Sequence, residues 1–255
     1  SVLGEKLAPN YTLYKQNSIR KFNRNGLTLE TDISDYIGHF TYFGFEDKAS
    51  EKLFELTKGK EVIFDVGANI GFTSLNLSQS SNNLATKVYA FEPDPYNYSK
   101  LIDNLNLNVN HAVSAENIGI GDTVENLKLV INTANNLGGN RINKNATENY
   151  SIIPVTTVDI FVEERKISTV DLIKIDIEGF EMNALKGAEQ TIKSYKPILF
   201  VEVNNENLKI QNSSAQELIA YLEKYYSVIY NAENDMPVNS NDNFDNCHID
   251  IIAKN

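Results

Sequence analysis

Tryptophan is absent from the 255 residues, and cysteine occurs once, as Cys247. A single thiol excludes an internal disulfide and fits a reducing compartment, so a cytoplasmic location is expected. Histidine is also scarce: His39, His111 and His248 stand far apart, and with no cysteine pairs the spacing of a structural zinc site is missing. No apolar run reaches the length of a membrane span, and no signal peptide is visible. Basic residues are in deficit, with 23 Lys and Arg against 34 Asp and Glu, giving a net charge of −11 and a pI near 4.8. Proteins that bind nucleic acid usually carry a basic face for the phosphates. The nearest approach here, Arg20, Lys21 and Arg24, reads as a solvated hairpin, so neither nucleic acid nor membrane is an expected partner. There is no internal repeat. The chain starts at Ser1 without Met, as expected of a trimmed chain or a piece of a longer polypeptide.

An apolar fraction of 42% suffices for a full core in one large domain. The most informative stretch is Val62-Ile-Phe-Asp65-Val-Gly67-Ala68-Asn69-Ile-Gly71-Phe72. A β-type run ends in an acid, a glycine turn follows, and an amphipathic helix begins, as in the first βα unit of a nucleotide-type site. The glycines are spaced G-x-x-x-G, and Asp65 at the strand tip would repel a phosphate. A carboxylate there suits a ligand with positive groups, such as the ammonium and sulfonium of S-adenosylmethionine (SAM). Gly67 is expected to let the backbone approach that ligand, since a Cβ would block it. The plainer alternative is an ordinary β-turn-α connection.

Against that alternative stands Val88-Tyr-Ala-Phe-Glu92-Pro93-Asp94-Pro95, a second strand ended by an acid. Glu92 lies about 20 residues past Gly71, the spacing at which a second-strand acid grips a ribose diol. Asp94 reads as a helix cap. From residue 61 onward strands and helices alternate, the pattern of a parallel α/β sheet. Strands are expected at 61–66, 87–91, 112–118, 171–176, 197–203, 226–231 and 247–253, with an extra one at Leu127–Ile131. Helices are expected at 71–80, 96–107, 156–164, 181–194 and 214–225. Residues 1–45 read as an N-terminal extension and 46–255 as the main domain. Asn25-Gly26 between two β-type runs marks a hairpin in the extension. The aromatic run Phe40–Phe45 then leads into a helix near Asp47–Leu56, capped by Asp47. Thr133–Tyr150 and Asn231–Asn246 read as long loops.

Four acids crowd Asp171-Leu-Ile-Lys174-Ile-Asp176-Ile-Glu178-Gly179-Phe-Glu181. Asp176 falls at the carboxyl end of a buried strand, the end at which open α/β sheets bind ligands. Asp171 begins that strand and reads as structural. Glu181, in a first helical turn, suits the helix dipole as well as it suits a site. Strand 197–203 brings Glu202 to the same rim.

Taken together, Asp65-Val-Gly-Ala-Asn-Ile-Gly71, Phe91-Glu92-Pro93, Val155-Thr-Thr-Val-Asp159, the Asp176-Ile-Glu178-Gly179-Phe-Glu181 block with Leu185-Lys-Gly-Ala188, and Phe200-Val-Glu202 resemble the FkbM family of SAM-dependent methyltransferases over roughly residues 40–255. The Asp-x-Glu-Gly-x-Glu block with Leu-Lys-Gly-Ala is the specific part. The first motif alone indicates a class I methyltransferase. The resemblance implies an α/β, Rossmann-like class I sheet, mostly parallel with a C-terminal antiparallel hairpin strand. It implies methyl transfer from SAM to a hydroxyl of a small molecule: a sugar, a polyketide or another secondary metabolite. An association with a biosynthetic assembly would fit. N-methylation of a small molecule or peptide, and a SAM-binding module without catalysis, are the alternatives.

A hydroxyl is a weak nucleophile, so a base should take its proton as the bond forms. Asp176 is the first choice, Glu202 the second and Glu178 the third. The same acids could hold Mg²⁺, but they show no ligand spacing, and metal-free catalysis is favoured. The expected cofactor contacts are Asp65, Gly67, Ala68, Asn69, Gly71, Glu92, Asp176 and Tyr42, with Tyr42 or Phe43 facing the sulfonium. Arg141, in the loop above the cleft, is a candidate acceptor contact. His39 could reach the site from a lid. His111 and His248 read as surface residues.

Overall fold

The computed structural model describes residues 8–44, 48–83, 85–132 and 136–255. A hairpin of β1 (Ile19–Arg24) and β2 (Leu27–Asp32) leads to helices α1 (Tyr36–Phe43) and α2 (Lys48–Leu56). Then come β3 (Val62–Val66), α3 (Phe72–Ser80), β4 (Lys87–Phe91), α4 (Pro95–Asn106) and β5 (Val113–Glu116). Four strands follow: β6 (Gly119–Ile120), β7 (Glu125–Val130), β8 (Arg141–Ile142) and β9 (Tyr150–Thr156). The remainder is α5 (Val158–Glu164), β10 (Leu172–Ile175), α6 (Glu181–Lys186), α7 (Glu189–Tyr195), β11 (Ile198–Asn204), α8 (Asn205–Ile210), α9 (Ala215–Leu222), β12 (Val228–Asn231) and β13 (His248–Lys254).

The main sheet runs β12-β13-β11-β10-β3-β4-β5, parallel from β11 to β5 and antiparallel at β13. Its central strands are covered on both faces, which is why they read as unbroken apolar runs. On one face Phe64, Tyr89 and Phe91 meet the ring of Phe161 edge-on, at centroid distances of 5.8, 5.2 and 4.8 Å. On the other, Ile63, Val88 and Leu172 pack with Leu53 and Leu77. The parallel strands therefore end along one edge, with the tips of β3, β4, β10 and β11 side by side.

Several sequence expectations change in detail. The aromatic run is not a lead-in but part of α1, whose N-cap Asp35 accepts from Ile37 N and Gly38 N and whose C-cap Gly44 is left-handed. The expected cap Asp47 and the run's last residue, Phe45, lie outside the described residues, as do Thr133–Asn135 of the first long loop. That loop also holds β8, which joins β6, β7 and β9 in a small second sheet. The expected helix 181–194 breaks at Gly187, which packs so closely on the Gly121 carbonyl that a Cβ would collide with it. Asn25 and Gly26 both have positive φ, the conformation a tight hairpin needs. Asp171 is structural as expected: its carboxylate accepts from Glu61 N and Val62 N, each at 2.9 Å.

Two charges sit inside the central ladder. Asp65 and Lys174 are register partners on β3 and β10. Their side chains are 0% and 7% exposed, and Lys174 Nζ lies 3.3 Å from Asp65 Oδ1. Ser74 Oγ, from α3, donates to the other oxygen at 2.6 Å. Burial alone would lower the pKa of Lys174, but the carboxylates of Asp176 and Asp65 outweigh it, and its pKa lies above the ordinary lysine value. Breaking such a pair leaves one uncompensated charge in a low dielectric. Lys174→Met should cost roughly 3–5 kcal/mol in urea unfolding, and adding Asp65→Asn should recover part of it. A single variant of wild-type stability would show that the pair is not what holds the two strands.

Candidate active site

The strand tips open into a cavity of about 550 Å³. Its floor is the turn after β3. Gly67 N and Ala68 N both donate to Phe91 O at 3.0 Å, which curls the turn over the tip of β4. Asn69 has a φ of 49° and donates its backbone N–H to Glu92 Oε2 at 2.8 Å. Asp94 N donates to Glu92 Oε1, also at 2.8 Å. Glu92 is thus clamped at the cavity wall and 6% exposed, and burial raises its pKa to about 7 against the pull of those two N–H groups. Asp94 caps α4, as expected, by accepting from Tyr96 N and Asn97 N.

Gly67, Ala68, Asn69 and Glu92 all line the cavity, as expected of cofactor contacts. Two neighbours do something else. Asp65 is fully buried below the floor, so the positive group that its carboxylate meets is Lys174 and not a ligand. Gly71, left-handed at the N-cap of α3, faces the Leu101 side chain. Gly67 does serve a close approach, but the approach is to the protein: with φ at +86°, a Cβ would run into the Asp176 carbonyl. Lys174 Nζ donates to Gly67 O at 2.9 Å and completes the hold on this turn.

Opposite Glu92 the rim is acidic. Asp176, Glu178 and Glu202 line the cavity together, as expected. Asp176 is half-exposed, with Oδ2 3.5 Å from Lys174 Nζ. Glu178 accepts from Asn207 Nδ2 at 2.8 Å. Its pKa is raised to about 7 by burial and by the charges of Glu202 and Asp176. Glu202 Oε1 bonds His248 Nε2 at 2.8 Å, whereas its Oε2 is buried without a partner among the described residues. Burial and the charge of Asp176 push the Glu202 pKa up. Glu181 does not line the cavity. Its Oε1 accepts from Ile177 N and Gly179 N, each at 3.0 Å, and so shapes the loop that carries Glu178. Among the described residues, no group of three or more His, Cys, Asp or Glu is arranged to hold a metal ion.

His248 is exposed, as the sequence reading expected, but it also lines the cavity, which that reading did not foresee. The hydrogen bond to Glu202 raises its pKa to about 9. Lys174 was also missed, although a lone cation inside Leu172-Ile-Lys-Ile175 was the available sign. On α1 the cavity face is Tyr36, Ile37, Phe40 and Thr41. Tyr42 instead packs edge-on against Phe22 of the hairpin at 5.3 Å, so Phe40, not Tyr42 or Phe43, covers the cavity. His39 turns the same way, bonded to Pro9 O at 2.8 Å. Arg141 is exposed, while its neighbours Asn140 and Ile142 line the cavity; alternation along β8 turns Arg141 outward.

Comparison with known proteins agrees with this geometry. The family model for the methyltransferase FkbM domain matches residues 65–228. The hexuronic acid methyltransferase AglP of Haloferax volcanii is 26% identical over 184 residues, covering 68% of this chain and 73% of that protein. Methyltransferase sdnD of Sordaria araneosa is 29% identical over 158 residues, covering 50% of this chain and 60% of that one. The crystal structure of an FkbM methyltransferase from Methylobacillus flagellatus matches 99% of this chain with a TM-score of 0.52 at 19% identity, which shows a shared fold. This chain spans 57% of that protein's length. With the family model covering well over half of the sequence, from the β3 tip to the start of β12, the chain belongs to the FkbM methyltransferase family.

Proposed function

We propose that this chain transfers a methyl group from SAM to a hydroxyl oxygen of a small acceptor such as a sugar, a polyketide or another secondary metabolite. The observation that carries the reading is Glu92. Each of its oxygens takes one backbone N–H and keeps a lone pair for a hydroxyl of a diol. The cavity beside it is within the usual range for small-molecule sites, about 300–1,000 Å³. The hexuronic acid named for the Haloferax relative is one hydroxylated acceptor of the kind proposed.

When bound, SAM supplies a methyl group already activated by its sulfonium, so the protein's task is mainly alignment. Lys174 and Asp65 hold the turn that forms the floor. Glu92 holds the ribose. Ile37 and Phe40 form an apolar wall that limits water. Asp176, Glu202 or Glu178 accepts the hydroxyl proton as oxygen bonds to carbon. We also propose a cytoplasmic setting and small-molecule partners, on the single cysteine and the net charge of −11. Among the described residues, no helix is long and apolar enough to cross a membrane.

Calorimetry with SAM and S-adenosylhomocysteine tests the Glu92 role. Glu92→Ala should lose about 1–3 kcal/mol of affinity. The diol needs the ionised carboxylate, and the free protein holds Glu92 near its midpoint at neutral pH. Affinity should therefore fall as pH drops from about 8 to about 6, and Glu92→Gln should flatten that dependence. Unchanged affinity in both variants would remove Glu92 from the site.

Methyl transfer should survive EDTA; loss restored by Mg²⁺ would reassign the rim acids to a metal. A polarisation assay at physiological salt should detect no tight binding to RNA or DNA, and tight binding would overturn the small-molecule reading.

A further inference from the structure

One buried side chain joins the N-terminal hairpin to the turn that floors the cavity. The edge of β2 away from β1 faces α4, and two asparagines there answer its backbone groups. Asn108, just past the end of α4, grips Thr28 as a neighbouring strand would. It accepts from Thr28 N at 2.9 Å and donates to Thr28 O at 2.8 Å. Asn104, on α4 and 1% exposed, accepts from Glu30 N at 2.8 Å. Its amide nitrogen does not return to the strand. It donates to the Ile70 carbonyl at 2.9 Å, inside the turn between β3 and α3.

Both ends of this link bear on the site. Ile70 follows Asn69, whose N–H is held by Glu92, and both residues line the cavity. Beyond Glu30, β2 carries α1. Gly38 of α1 lies so close to the strand that an added Cβ would stand 2.0 Å from Asp32 O. Asp32 O also accepts from Asp35 N at 3.1 Å, just before the helix. At the far end of the helix, Arg24 of β1 donates to Thr41 O and Tyr42 O at 2.6 and 2.8 Å. The hairpin thus holds α1 at both ends, and α1 presents Ile37 and Phe40 to the cavity. The chemistry at position 104 is exacting. The side chain must accept from one neighbour and donate to the other, which an amide does and a carboxylate does not.

We propose that Asn104 is a positioning residue that couples the two ligands: SAM seated on the turn steadies Ile70, and through Asn104 and β2 it steadies α1 over the cavity. Asn104 does not itself line the cavity, so its effect on either ligand is indirect. The inference rests on the methyl-transfer reading, because it takes the turn as the seat of SAM. Coupling of this kind is reciprocal, so an acceptor packed on α1 also tightens the hold on SAM.

Calorimetry with S-adenosylhomocysteine comes first; failure to bind sinks the methyl-transfer reading itself. Amide hydrogen exchange is then followed with and without saturating S-adenosylhomocysteine. In the wild-type protein the ligand should slow exchange in α1 about fivefold, the worth of one typical hydrogen bond. Asn104→Ser should remove most of that slowing while the turn itself stays protected. Glu30→Pro removes the same hydrogen bond from the strand side, leaves Asn104 on Ile70, and stands in if the first variant fails to fold. Asn108→Ala also loosens β2 from α4 but keeps the link to the turn, so its α1 should still respond to the ligand. A wild-type α1 that ignores the ligand, a response that persists in the folded Asn104 or Glu30 variant, or one that Asn108→Ala abolishes equally would overturn the proposal.

Discussion

A lysine inside a parallel sheet is tolerable only if its charge is answered on every side, and the geometry of this cavity depends on how Lys174 is answered. Its ammonium reaches across the ladder to Asp65, forward to Asp176, and up to the carbonyl of Gly67. Those contacts join the tips of β3 and β10 and fix the turn between β3 and α3. The turn then crosses the backbone at Asp176 so closely that only glycine fits at position 67. From there the chain passes Phe91 and hands Asn69 N to Glu92. One buried cation thus sets the floor of the cavity and, through the floor, the orientation of the acid on its far wall.

The cation also divides the labour among the acids. Asp65 compensates buried charge and is lost to any ligand. Asp176 contributes to the same pair but stays half-exposed at the rim. Glu178 and Glu202 lie beyond the reach of Lys174's hydrogen bonds, and burial raises the proton affinity of both, helped by the charge of Glu202 at Glu178 and by that of Asp176 at Glu202. His248 then steadies Glu202 from the antiparallel strand. The outcome is a rim on which Glu178 is raised to about 7 and Glu202 is raised above the usual carboxylate range, toward the region where a group that accepts a proton from a hydroxyl is most effective.

Much of this frame is legible in the sequence, because apolar β-runs punctuated by Gly, Pro and Asp report strand ends directly. Glu92, Asp176 and Glu202 could be placed at one rim by that logic alone. What escaped depends on relations the linear pattern does not carry. Asp65 looks like a ligand group until its register partner is known to be Lys174. Helix α1 is hidden by aromatic and β-branched residues that disfavour helix locally, and its caps Asp35 and Gly44 are the surviving signs. Once the run is helical, the 3.6-residue period sends Phe40 to the cavity and Tyr42 to the hairpin. The Glu202–His248 bond joins residues 46 apart in sequence, across the β11–β13 ladder, where a diagonal offset puts their side chains in reach.

The most direct test of this account is a crystal structure of the protein with S-adenosylhomocysteine. The account predicts the ribose hydroxyls on the two oxygens of Glu92, Lys174 still bound to Asp65 and Gly67, and the sulfur facing the Asp176–Glu202 rim. A nucleoside seated elsewhere, with Glu92 holding only the backbone N–H groups of Asn69 and Asp94, would contradict it.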